Sequence, residues 1–242
     1  MALFQSSNPV FKSDNFSKTL DHYSLEQPMT LQGTINKSIL LGLLVVATSA
    51  ISFLNPSPTF MIVGAIGGLI CVLIATFRPT TAPYTAPLYA VLEGLALGAI
   101  SAMYAARFQG IVLNAVLGTL GVFFAMLFIY KSGLIKVTDK FRAGVIMATF
   151  AIFFMYMISM VLSFFGVHVP MLHQGGTFGI IFSLGVIAVA TMNLLLDFDN
   201  IERGVQNNSP AYMEWMSALG LLVTLVWLYL EILRLLSKMR DR

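Results

Sequence analysis

In the stretch NLLLDFDNIERG, residues 193–204, Asp197 and Asp199 close an apolar run and are followed by Glu202 and Arg203. Glu93 stands inside a second apolar run, LEGLALG, and Glu231 inside a third, VTLVWLYLEILRLL. An ionised side chain at mid-bilayer costs at least about 2.5–3.5 kcal/mol on insertion scales, so acids in such surroundings have either compensating partners or a function. Carboxylates drawn together in a low dielectric repel, and each change of protonation changes the partners they hold. Such a group can sense pH. Its oxygens also suit Ca²⁺, which accepts several carboxylates and carbonyls in flexible geometry, with Asp197 and Asp199 as the candidate ligands. Residues two apart on a helix point roughly 200° from one another, so only one of these two aspartates faces a bundle interior. Arg78 ends an apolar run at the same level and is the expected counter-ion: ionised acids hold it and lock that end, and protonated acids release it. The plainer reading makes Asp199, Glu202 and Arg203 a solvated helix end and Glu93 a packing residue.

The elements that must position these side chains are membrane spans. Hydrophobic residues make up 57% of the 242 and charged residues 10%, with a mean hydropathy of +0.84, outside the range of a soluble domain. Crossing the hydrocarbon core takes about 20 apolar residues, and seven runs qualify: 36–54, 59–77, 87–106, 111–130, 143–165, 177–196 and 216–236. All are expected to be helices, because a lone strand in lipid leaves backbone groups unpaired. The expected organisation is a polar N-terminal tail over 1–34, a seven-helix bundle over 35–236 and a short basic tail over 237–242. Small residues at Gly64/Gly68 and Gly94/Gly98 have the spacing of close helix crossings.

Basic residues favour the cytoplasmic side of short loops. An inside N-terminus gathers Lys12, Lys18, Lys37, Arg78, Lys131, Lys136, Lys140, Arg142 and Arg203 there, against Arg107, Lys238, Arg240 and Arg242 outside. The seventh run is long enough to cross and free of Pro, so full crossing is preferred to a re-entrant segment. Glu231 then lies towards the outer face, where Arg234, three residues on, can pair with it. His168 and His173 of the loop GVHVPMLHQGG would complete an outer ring with it, or are simply solvated.

Other classes lack parts. The small net charge of +3 is spread in short clusters beside apolar runs, unlike a nucleic-acid surface. The single cysteine, Cys71, permits no internal disulfide and no thiolate cluster. Neither histidine lies in a His-Glu-x-x-His helix, span serines 49, 101 and 183 have no histidine in a span to activate them, and no phosphate-cradling Gly-Lys loop is present. The chain is therefore not expected to be an enzyme or to carry a cofactor.

The segments LEGLALGAIS, NLLLDFDNIERGV and EWMSALGLLVTLVWLYLEILRLLSKMR, with seven apolar spans and an N-terminal SNPVF, resemble the Bax inhibitor family of membrane proteins, in particular its bacterial branch. The resemblance implies a central seventh helix wrapped by the other six, a calcium leak, and an inner-membrane location. It also implies a pH sensor made of aspartates on helices six and seven with an arginine on helix two. The helix-six aspartate matches Asp197 and the arginine matches Arg78 by position. The helix-seven position carries Thr224, so Asp199, Glu93 or Glu231 would have to supply the second carboxylate.

The expected function is a pH-sensitive cation leak, with Ca²⁺ or H⁺ as the ion, gated by Asp197, Arg78, Glu93 and Asp199 at the cytoplasmic end. The alternative is a non-conducting regulator in the same bilayer that binds other membrane proteins or a membrane protease.

Overall fold

The structure, a computed structural model, describes residues 27–165 and 176–241. His168 and His173, and most of the N-terminal tail, lie outside the described residues.

Seven long helices make up the bundle: α1 (Leu31–Leu54), α2 (Pro58–Phe77), α3 (Ala82–Arg107), α4 (Ile111–Ser132), α5 (Asp139–Phe164), α6 (Thr177–Gln206) and α7 (Tyr212–Arg240). Each is long and apolar enough to cross a membrane. Their ends follow local chemistry. Thr30 caps α1 by accepting from the Gly33 N–H at 2.9 Å, and Ser57 with Pro58 opens α2. Gly110 and Gly133, both at positive φ, flank α4, where a side chain would be strained. The helix α3 starts five residues before the expected 87, because Pro83 sits in its first turn, where no N–H is needed, and Pro87 is carried within it. The last helix runs on to Arg240, so residues 237–240, expected to be tail, are helix.

The outer surface is apolar: Leu43, Leu69, Phe128 and Phe150 are each more than half exposed. That is the surface a bilayer covers, and lipid contact follows from it. The core belongs to α7, the most buried of the seven spans, which packs against α1, α3, α4 and α6. The other tight assembly is α1–α2–α3. A methyl group at Gly98 would lie 2.2 Å from the Ser49 carbonyl of α1, and one at Gly64 would lie 2.4 Å from the Leu92 carbonyl of α3, so these backbones meet where small residues were expected to let them.

Contacts at both ends fix the direction of α7. At its start Glu214 accepts from the Thr30 N–H at 2.7 Å and pairs with Lys37 of α1, while Met29 N–H donates to the Ser209 carbonyl. At its end Arg240 donates to the Gln109 carbonyl in the α3–α4 loop. The helix therefore begins at the face that holds the start of α1, here the near face, and ends at the opposite, far face. A re-entrant seventh segment does not fit this geometry.

Candidate functional site

Asp197 lies on α6, about 13 Å before its near-face end at 1.5 Å per residue. Its carboxylate enters the seam with α7: Oδ1 stands 4.0 Å from where a methyl group on Gly220 would be, and Thr224 is its polar neighbour on that helix. The Thr224 hydroxyl donates to the Gly220 carbonyl at 3.2 Å on its own helix. Asp197 Oδ2 is buried and has no hydrogen-bond partner among the described residues, a costly state for an ionised oxygen in an apolar setting.

Asp199 points away from that seam, as the helical offset requires. Its Oδ2 pairs with Arg142 of α5 and, at 2.6 Å, with Arg203 one turn along. The neighbouring Glu202 accepts from the Tyr130 hydroxyl, and the Arg142 guanidinium reaches Asn200 Oδ1 at 2.7 Å. A single Ca²⁺ held by both Asp197 and Asp199 is therefore not what this geometry offers: the two carboxylates face different helices, and one is already paired with guanidinium groups.

Glu93 occupies the same half of the bundle, about 16 Å into α3, but faces α2. Its Oε2 is 2.6 Å from where a methyl group on Gly68 would sit, so that glycine makes the carboxylate's room. It makes no ion pair among the described residues. Arg78 ends α2, exposed and likewise without an ion pair among them. The expected Arg78 counter-ion is thus corrected. Because α2 packs chiefly on α3, its terminal arginine lies at the perimeter, and the cations that reach Asp199 are Arg142 and Arg203.

At the far end Glu231, 1% exposed, accepts at Oε1 from Arg234 at 2.6 Å and from the Tyr156 hydroxyl of α5 at 2.8 Å. Arg234 also lies over the Tyr156 ring. The pairing along the helix is the one its spacing foretells. Glu231 Oε2 is buried without a partner among the described residues. Lys238, read from the sequence as part of a basic tail, is instead buried at 4% exposure, with its Nζ 3.2 Å from the Gly179 carbonyl and 3.0 Å from the Ser183 hydroxyl. Sequence reasoning missed it, along with Lys37–Glu214, Tyr156 and Arg142. The only signal was polar residues recurring every seven positions along α7: Ser217, Thr224, Glu231 and Lys238.

The fold and this seam define a class, a seven-helix membrane protein with buried ionisable groups at a central helix. The chain matches the family described as Bax inhibitor 1 like over residues 8–241, and it belongs to that family. No curated protein matches it.

Proposed function

We propose that the protein is a pH-controlled cation leak, with Ca²⁺ as the conducted ion, whose route is the α6–α7 seam and whose proton-sensing group is Asp197. The observation that carries this reading is a carboxylate oxygen buried in the seam with no partner, beside a hydroxyl that can serve it or its own helix. Ionised Asp197 accepts a hydrogen bond from the Thr224 hydroxyl and so ties α6 to α7. Protonated Asp197 no longer needs it; the hydroxyl returns to the Gly220 carbonyl, the cross-helix tie is lost, and the seam loosens. Thr224 thus does with a neutral hydroxyl what the resemblance assigned to a second aspartate. Asp199 with Arg142 and Arg203 forms the carboxylate–arginine cluster at the mouth, on a face we take as cytoplasmic from the basic loops. No catalytic step or cofactor is invoked.

Flux should rise as pH falls, because protonation is the loosening event. Calcium-dye flux into liposomes holding the purified protein tests this: Asp197→Asn, which cannot ionise, is expected to give a flux that no longer changes with pH. A pH profile in Asp197→Asn that overlays the wild type would end the assignment.

A second reading is favoured by an apolar cavity of about 520 Å³ bounded by α1, α3, α4 and α7, with Val46, Gly98, Val116, Leu120 and Val226 among its walls. A partner helix in that groove would make the protein a non-conducting regulator. Absence of flux at every pH, in protein shown to be folded, would select it.

A further inference from the structure

The far end of the α6–α7 seam already holds a cation, and it is part of the chain. The Lys238 ammonium sits against the Gly179 carbonyl and the Ser183 hydroxyl of α6. Glu231, seven residues earlier and so on the same face of α7, attracts it, while Arg234 repels it. Glu231 is not consumed by its own partners, since Arg234 and Tyr156 both take Oε1 and Oε2 has none among the described residues. The carbonyl and hydroxyl against this buried positive charge, with a carboxylate seven residues earlier that attracts it, are the kinds of oxygen that a hard cation takes. Of the three ionic groups, two are positive and one negative. A free cation arriving here is repelled unless the lysine leaves.

We propose that the Gly179 carbonyl, the Ser183 hydroxyl and the Glu231 carboxylate form a cation site at the far end of the seam, and that Lys238 is its tethered occupant, excluding a mobile ion. This rests on the leak reading for its role in transport, but the binding itself does not. Lys238 is then a specificity-determining residue: its release admits Na⁺ or Ca²⁺, and its presence keeps the resting seam closed to them.

The test uses the full chain in detergent and in liposomes. In Lys238→Ala, sodium or calcium chloride should raise the melting temperature at constant ionic strength set by choline chloride, whereas the wild type should show no such rise. Adding Glu231→Gln to that variant should abolish the response. In liposomes Ca²⁺ flux should increase about tenfold in Lys238→Ala, a change equivalent to about 1.4 kcal/mol, and stay at the wild-type level in Lys238→Arg. Should the alanine variant fail to fold, Lys238→Gln keeps a donor for Gly179 and Ser183 while removing the charge, and both arms are run on it. Cation-dependent stabilisation without flux in any variant keeps the site and sinks the leak reading. Wild-type flux, with no cation-dependent stabilisation of the folded variant, sinks the site alone.

Discussion

Asp197 and Glu231 lie along one seam, each with a buried oxygen that lacks a partner among the described residues, and their company differs. Asp197 has a threonine hydroxyl; Glu231 has a guanidinium at 2.6 Å, a phenol at 2.8 Å and a lysine one helical repeat away. A carboxylate whose cation is built in is held as part of the structure, and removing the cation leaves a buried acid without its partner. One served only by a hydroxyl can gain a proton and lose no more than a hydrogen bond. Two positions on the same pair of helices are thereby suited to different work, the near one to switching and the far one to holding. Between them Ala190, Leu194 and Leu228 are fully buried, so any conducting route must part an apolar stretch.

The largest effect should come from the holding end. Arg234→Met keeps the stem that packs against Tyr156 but strips Glu231, 1% exposed, of its guanidinium; a broken buried pair costs about 3–5 kcal/mol, and with the Arg234 side chain 34% exposed the loss should fall at or below the lower end of that range. Thermal melts in detergent should show that loss, and most of it should be restored by the double change Arg234→Met/Glu231→Gln. If the single variant melts like the wild type, Glu231 is not held by Arg234 and the contrast between the two ends collapses.

Next in size is Thr224→Val, nearly the same shape without the hydroxyl. A hydrogen bond to a charged group is worth about 1.5–3 kcal/mol, so loss of the tie should raise flux at neutral pH by about tenfold or more and flatten its rise on acidification. Thr224→Ser retains the hydroxyl and should retain the pH response. A valine variant with wild-type flux across the pH range would place the switch elsewhere.

How far the sequence alone reaches follows from the range of each interaction. The seven spans are readable because each is a long, predominantly apolar run, and the Glu231–Arg234 pair because three residues on a helix fix it. The offset of Asp197 from Asp199 is readable for the same reason. Partners brought in by tertiary packing are not. Arg142 is 57 residues from Asp199, Lys238 is 55 from Ser183, and Lys37 is 177 from Glu214; nothing in local spacing joins them. Arg78 misled for the complementary reason: it sits at the right depth, but depth does not say which helix its own helix packs on, and α2 faces α3. The expected start of α3, at 87, falls five residues late, although a proline in a first turn breaks nothing.

The smallest effect is expected at the mouth, where Asp199 resembles Glu231 in having cations and differs in being reachable by water. Its side chain is 14% exposed, Arg142 is 26% exposed, and Arg203 remains as a second cation when Arg142 is removed. Exposed ion pairs contribute about 0–1 kcal/mol. Arg142→Ala should therefore lower stability by less than about 1 kcal/mol and, since Asp199 faces α5 rather than the seam, leave the pH profile of flux unchanged. A shifted profile in Arg142→Ala would mean that the two aspartates act together after all. In that case the charge on Asp199, through its arginines, would belong to the switch as much as Thr224 does.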